Sequence, residues 1–441
     1  MSLTTPEKVR KLQMTLNAKA KESPGYRFHA LYDKIYREDI LRFAYGICKA
    51  NGGAAGVDGV TFGEIEAYGR ERWLDELAEM LRSKEYRADA IRRTFIPKPD
   101  GKQRPLGIPT IKDRVAQTAA VLVLEPIFEA DLQPEQYAYR PGRSAHDAIR
   151  TVHSLVNTGH TEVIDADLSS YFDTIPHAEL MKSLARRISD GKMLKLIKMW
   201  LKAPVEETDE RGRKQRRTPG KDKGRGIPQG APISPLLSNL YMRRFILGWK
   251  KLGHQERLKA HIVNYADDYV ICCRGKAQEA MTEMRAMMEK LKLTINQIKT
   301  GIRVLPAERL NFLGYTIGCC YSPKTGRAYI GTTPSKEAVR RMCREISEAT
   351  RRRWLLKDPK ERVAHLNRKL EGWANYFCLG PVSKAYRKVD AHARFRLRQW
   401  LRHKHKRRGR GISQFPDELL YKTLGLTRLV ERTRNFPWAK A

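Results

Sequence analysis

Two runs rich in β-branched and aromatic residues, Ile262-Val263 and Tyr269 to Cys273, flank Asn264-Tyr265-Ala266-Asp267-Asp268 and predict a β-hairpin with adjacent carboxylates at its tip. Two neighbouring acids are badly placed for a core or a helix interior. In most chains such a pair is a solvated turn, but at the rim of a sheet it can also reach a divalent cation. Roughly 100 residues upstream, Glu162 to Leu168 reads as a second strand. Its alternation puts Asp165 and Asp167 on one face, with Ile164, Ala166 and Leu168 opposite. If the two strands are neighbours, their acids can hold two Mg²⁺ ions roughly 3.5–4 Å apart, which lowers the charge cost of an in-line phosphoryl displacement.

The charge balance points to a polyanionic partner. Across 441 residues, 85 Lys and Arg stand against 49 Asp and Glu, a net of +36. So large an imbalance opposes compaction by self-repulsion unless phosphates neutralise it. An apolar content of 41% is ordinary for a globular chain of two or three domains and excludes a mainly disordered one. Of seven cysteines, Cys272-Cys273 and Cys319-Cys320 are adjacent and would face opposite sides of a strand, so disulfide and zinc readings fail and reduced thiols are expected. The apolar run from Ala119 to Phe128 is broken by Glu125, so no membrane span is expected, and no signal-peptide core is visible.

Residues 1–35 form a basic, polar leader in which Leu12 and Leu16 allow one amphipathic helix. A helical pattern from Leu31 to Ala50 runs into the glycine-rich Asn51–Gly59 loop. Thr94-Phe95-Ile96 and Leu106-Gly107-Ile108 read as a hairpin with a basic tip, and Asp113–Glu129 and the stretch from Ala178 as helices. Glu206 to Gly226 reads as a long hairpin or loop. Strands and helices alternate irregularly to about residue 320, which predicts an α+β fold rather than a doubly wound sheet. Beyond it, Pro334–Lys357, Glu361–Phe377 and Ser383–His405 read as helices, and residues 331–441 hold 29 Lys and Arg against 10 Asp and Glu, a net of +19. Within them Arg402-His403-Lys404-His405-Lys406-Arg407-Arg408 is either a solvated face or a phosphate contact.

Taken in order, Asp167-Leu-Ser-Ser-Tyr-Phe-Asp173, Gly226-Ile-Pro-Gln-Gly-Ala-Pro-Ile-Ser-Pro-Leu-Leu-Ser-Asn239 and Tyr265-Ala-Asp-Asp268 resemble three successive polymerase motifs of reverse transcriptases. The wording is most similar to the group II intron-encoded reverse transcriptases, or maturases, of the bacterial type without an endonuclease module. Ile96-Pro-Lys-Pro-Asp-Gly-Lys-Gln-Arg-Pro-Leu-Gly-Ile-Pro-Thr110, Tyr139-Arg-Pro-Gly-Arg-Ser-Ala-His-Asp-Ala148, Phe312-Leu-Gly-Tyr315 and Leu366-Asn-x-x-Leu-x-Gly-Trp-x-x-Tyr-Phe377 extend the likeness over nearly everything from about residue 40 to 430. Longer members carry a DNA-cleaving module after the maturase segment, whereas this sequence stops at Ala441, so second-strand cleavage is not expected.

The resemblance implies an α+β right-hand polymerase: fingers (36–160) and palm (161–325), built of antiparallel sheet and helices, follow the leader and precede an all-helical, basic thumb/maturase domain (326–441). It implies Asp167 and Asp267 as principal ligands of two Mg²⁺, assisted by Asp268, with Asp165 and Asp173 left as structural or capping acids. Lys98 and Arg104 would hold the dNTP triphosphate, and Gln229 would touch its sugar or base. Phe172 would leave no room for a 2′-hydroxyl, favouring DNA synthesis, unless it is a plain core residue. Arg140, Arg143, Arg402, Lys404, Lys406, Arg407 and Arg408 are expected on nucleic acid, while Trp373, Tyr376 and Phe377, at helical spacing, read as a buried stripe. Implied partners are an RNA template, its RNA/DNA duplex and group II intron RNA, in a bacterial cytoplasm. A domesticated reverse transcriptase of host defence or repair, and a splicing factor with little polymerase activity, stay open as alternatives.

Overall fold

The computed structural model describes residues 3–97, 103–209, 213–322, 324–409 and 411–433. Within them the chain forms β1 (Ile91–Pro97), β2 (Gln103–Ile108), β3 (Glu162–Asp167), β4 (Val205–Thr208), β5 (Lys214–Arg217), β6 (Ala260–Tyr265), β7 (Asp268–Cys273), β8 (Gly301–Val304), β9 (Leu310–Phe312), β10 (Tyr315–Tyr321) and β11 (Ala328–Pro334). They build three sheets, in the orders β2-β1-β4-β5, β6-β7-β3-β8 and β11-β10-β9. All pairings are antiparallel except β1 with β4. The fold is α+β, as expected, and the stretch from Glu206 resolves into the β4–β5 hairpin and a short helix, Pro219–Lys223. No helix of the described residues is long and apolar enough to cross a membrane.

Both faces of the β6-β7-β3-β8 sheet are buried, each in its own core. Ile164, Ala166, Ile262, Ile271 and Cys273 join a core with the helices of the N-terminal half, whereas Val163, Val263, Val270 and Cys272 join a core with helix Ala145–Asn157 and the C-terminal helices. Cys272 and Cys273 thus part to opposite faces, as strand alternation requires.

Helix Ile111–Glu129 is the axis of the first core, with Val115, Ala116, Ala119, Ala120, Val123, Leu124, Ile127 and Phe128 fully buried. The leader forms the amphipathic helix that Leu12 and Leu16 allow, and that helix is part of this core. Helix Glu7–Glu22 buries Val9, Leu16 and Ala20 against it, because a proline in the axis helix creates a need that the leader meets. Pro126 has no N–H to give the carbonyl of Leu122, four residues earlier. Gln13 Nε2 donates to that carbonyl at 3.0 Å, and Asn17 Nδ2 to the Pro126 carbonyl at 2.8 Å.

The boundary expected at residue 325 falls inside a hairpin. β10 and β11 pair from Tyr315↔Pro334 to Tyr321↔Ala328, so the last part of the chain opens with a strand and is helical only from Lys336. Tyr329-Ile330 and Thr332-Thr333 favour a pleated surface over a helix, and the turn before them carries a left-handed Gly326. Helices Lys336–Ala349, Pro359–Tyr376 and Ser383–Lys404 follow. Trp373 and Phe377 are buried in the second core, as their spacing suggested, and Tyr376 Oη donates to the Leu313 carbonyl at 2.8 Å.

The Gln13–Pro126 relation gives a stability test. Gln13→Ala should cost about 1 kcal/mol, the usual effect of orphaning a half-buried carbonyl. In a Pro126→Ala background the restored helix N–H should take over and the same substitution should be nearly neutral, a non-additivity that chemical denaturation of the four proteins would read.

Candidate active site

Register brings the acids together. The β3–β7 ladder runs from Glu162↔Cys273 to Asp167↔Asp268, and the β6–β7 hairpin closes at Tyr265↔Asp268 over Ala266 and Asp267. Ala266 holds φ at +59°, a left-handed conformation that an alanine does not adopt without cost. Asn264, fully buried, braces the turn with Nδ2 donating to the Ala266 carbonyl at 2.8 Å. Its backbone is pinned in turn, with the amide donating to Glu135 O at 2.9 Å and the carbonyl accepting from Tyr137 N at 3.0 Å. The turn is therefore built by a buried amide, and Asp267 and Asp268 ride on it.

The electrostatics are those of crowded carboxylates. Asp268 stands exposed at the mouth of the cleft, but protein packed around its base strips hydration, and Asp267, Asp167 and Asp165 add repulsion; together they push its carboxyl up to about 6. Asp165 is also pushed up to about 6, by burial first, with Asp167 raising it further and Arg303 opposing. Asp167 Oδ2 accepts from Asn296 Nδ2 at 3.0 Å and faces Lys299 Nζ at 3.3 Å. With that carboxylate turned to Asn296 and Lys299, no three His, Cys, Asp or Glu side chains among the described residues already converge as metal ligands. The donor set itself, three carboxylates on paired strand ends that repel one another, suits a hard divalent cation. Neither Asn296 nor Lys299 stood out in the sequence reading. Its only trace is a polar Asn-Gln-Ile-Lys-Thr stretch, which the Leu168↔Ile295 bridge folds back onto the end of β3.

Around the acids, Arg104 Nε donates to Gln229 Oε1 at 3.2 Å, and Gln229 Nε2 reaches Asp173 Oδ2 at 3.5 Å. The Gln229 loop is tied down from both sides, Gly107 N donating to Gln229 O and Ile227 N to Phe172 O, each at 2.7 Å. Gly230, at φ +103°, is obligatory here, since a Cβ would lie 2.5 Å from the Gly107 carbonyl. Phe172 is 6% exposed, its ring edge-on to Tyr171 within the core. Lys98 lies outside the described residues.

Tyr139, the first residue of its motif, is exposed. Protein crowding and then the charge of Asp267 raise its phenol, and Arg104 opposes them. Its φ of +56° parts it from its neighbour Arg140, which turns inward. Arg140, expected on nucleic acid, is instead spent on the protein. Its guanidinium binds Glu129 at 2.6 Å and the carbonyls of Gln133 and Gln136 at 2.7 and 2.8 Å, its side chain only 5% exposed. Arg143 stays exposed, over the ring of Tyr137. In the C-terminal run the half-exposed Arg402 donates to the Gly409 carbonyl and Lys404 to that of Leu355, at 2.7 and 2.8 Å, while Lys406, Arg407 and Arg408 are exposed.

Residues 96–317 match the family described as reverse transcriptase (RNA-dependent DNA polymerase), which is half of the chain. The chain belongs to the reverse transcriptases. Residues 339–414 match the maturase-specific domain of group II introns, so this reverse transcriptase is of the group II intron type. It is 36% identical to protein YkfC of Escherichia coli (strain K12) over 331 residues, 67% of this chain and 84% of that one. With the group II intron-encoded protein LtrA of Lactococcus lactis subsp. cremoris it shares 26% over 352 residues, 66% of this chain and 57% of LtrA. An uncharacterized 91 kDa protein in the cob intron of Schizosaccharomyces pombe shares 24% over 422 residues, 78% of this chain and 50% of that one. The reverse transcriptase thus spans most of YkfC but little more than half of LtrA. Its family generally uses divalent metal ions, in keeping with the donor set at the β7 turn.

Two outcomes follow for the site. Because the charge of Asp267 adds repulsion to the crowded carboxyl of Asp268, Asp267→Asn should raise the metal-free melting temperature by about 1–2 °C, and a divalent cation should stabilise the parent protein but not the variant; thermal scans with and without the cation would show it. Asn264→Ala should lower kcat at least tenfold, about 1.4 kcal/mol of lost positioning, with template affinity unchanged.

Proposed function

We propose that this reverse transcriptase extends a primer 3′-hydroxyl on an RNA template with dNTPs, through Asp167, Asp267 and Asp268 acting as ligands of two Mg²⁺. The observation that carries the reading is the β3–β7 register, which sets Asp167 against Asp268 with Asp267 beside them. When bound there, such ions lower the pKa of the attacking hydroxyl and stabilise charge on the leaving pyrophosphate. The chain's own residues supply the rest. Asn264 holds the carboxylates at a fixed height above the sheet. Arg104, a planar fork in reach of Gln229, is suited to clamp a triphosphate. The amide of Gln229 is oriented by Arg104 at one end and by the long contact to Asp173 at the other, which a nucleotide's sugar or base would replace. The Phe172 ring, held in the core behind that loop, would back the sugar and exclude a 2′-hydroxyl. Lys98 would add a second cation for the phosphates.

A second role stands beside the first. The maturase-specific match at 339–414 supports binding of intron RNA, and with it help in splicing that needs no chemistry from the protein. Arg143, Lys406, Arg407 and Arg408, exposed and basic, are candidate contacts for that RNA or for the template–primer duplex.

The decisive measurement is template-directed extension by the purified protein with Mg²⁺ and a DNA primer on RNA. Asp267→Ala should abolish it while RNA binding stays within a few-fold of the parent; undiminished extension would refute the site. Phe172→Val should incorporate ribonucleotides more readily, read as a fall in the dNTP-to-rNTP ratio of kcat/KM. An unchanged ratio would remove Phe172 from sugar selection.

A further inference from the structure

A groove of about 960 Å³ opens between Pro97, at the end of β1, and the helices Lys336–Ala349 and Pro359–Tyr376. Five cationic side chains line it, Arg341, Arg344, Arg353, Arg362 and Lys369, against the two carboxylates of Glu345 and Glu348. Those acids are already taken. Glu345 holds Lys369 at 3.2 Å, and Glu348 holds Arg351, with Arg353 at 3.7 Å. Arg344 is held elsewhere, by Glu337 at 2.6 Å. Arg341 and Arg362 form no ion pair with an acid among the described residues, and only Glu361, next to it in sequence, favours the charge of Arg362.

Arg362 is the telling one. It is only 7% exposed, its Nε is buried without a hydrogen-bond partner, and its guanidinium lies 5.0 Å from the centre of the Trp354 ring, beside which Arg353 sits at 5.2 Å. Burying a cation is costly unless an anion or a set of acceptors meets it. A tryptophan face recovers part of that cost and also fixes the guanidinium plane, so its free edge presents parallel donors. Four other arginines, Arg92, Arg93, Arg114 and Arg187, also bury an Nε without a hydrogen bond, but the most deeply buried arginines elsewhere in the described residues have an acid or several carbonyls, Arg187 Nε lying 3.3 Å from Asp131. Arg140 has Glu129 and two carbonyls, and Arg187 donates to carbonyls of the leader, among them Ser23 at 2.9 Å. Arg362 departs from that pattern, and it does so on the wall of a positive groove.

We propose that Arg362, with the exposed Arg341 on the preceding helix, forms a socket for a backbone phosphate of nucleic acid. The strand so held passes between the β1–β2 hairpin and the C-terminal helices. The socket takes a phosphodiester by bidentate hydrogen bonding, is indifferent to sequence, and anchors the substrate outside the catalytic carboxylates. It rests on the polymerase reading only in naming the template–primer duplex as the polyanion.

The test uses the full chain and a labelled RNA/DNA template–primer duplex, with dissociation constants measured by anisotropy from about 0.1 to 0.4 M salt, because each lost phosphate contact shows as a shallower salt dependence. Arg362→Met and Arg341→Gln should each weaken binding about three- to tenfold near 0.15 M salt and reduce the slope of log Kd against log salt by about one. Arg362→Met should also keep or raise the melting temperature, since it removes an unpaired buried charge. A parental slope with a lowered melting temperature would make Arg362 a structural residue and overturn the proposal. Should Arg362→Met not fold, Arg341→Gln decides alone, and a parental slope there is equally fatal. Primer extension by the parent is scored separately. Its absence, with the slope change present, would sink the polymerase reading and leave the socket standing.

Discussion

The antiparallel ladder between β3 and β7 is the constraint from which the rest of this molecule follows. Side chains alternate along a strand, so a slip of one residue would turn Asp167 into the core and bring Ala166 to the cleft. What prevents the slip is the burial of both sheet faces. Val163, Val270 and Cys272 are locked into one core, and Ile164, Ile271 and Cys273 into the other. Burying several such side chains, each contributing about 1.5–3 kcal/mol, easily outweighs the mutual repulsion of a few carboxylates in a half-solvated cleft. Hydrophobic packing positions the acids.

The site is therefore a place where stability is surrendered for function. Asp268 and Asp165 are held as carboxyls that resist ionising, and Ala266 sits in a backbone region disfavoured for its type. Each cost is met locally. The buried amide of Asn264 braces the turn, and Asn296 and Lys299 partly neutralise Asp167. A net charge of +36 on the whole chain favours the approach of a phosphate backbone to a molecule whose site is locally acidic.

Basic residues serve two purposes here, and only their surroundings tell them apart. Guanidinium carries five donors and no acceptor, so an arginine among loop carbonyls becomes a cross-link rather than a ligand site. Arg140, Arg187 and Arg402 are used in this way, tying together segments that lack regular secondary structure. Arg362 has the same chemistry but no such partners among the described residues, and Lys406 to Arg408 are simply exposed. The division of labour follows from how many carbonyls the local backbone leaves unpaired.

Alternation, helical spacing and turn chemistry are short-range properties, and wherever they govern the outcome the sequence was sufficient. The β6–β7 hairpin, the face of β3 that carries Asp165 and Asp167, the β1–β2 hairpin and the three C-terminal helices could all be read from it, and so could the buried stripe of Trp373 and Phe377. The strand β11 was lost because its β-branched pairs lie next to a strong helical pattern. The leader's place was lost because it depends on Pro126, more than 100 residues away, leaving a carbonyl unsatisfied. Most of all, no linear pattern says which carbonyls or carboxylates will surround a given arginine or aspartate once the chain is folded. The pairing of Asp167 with Lys299, the inward turn of Arg140, the exposure of Tyr139 and the solitude of Arg362 come from long-range packing, and tertiary structure alone decides them.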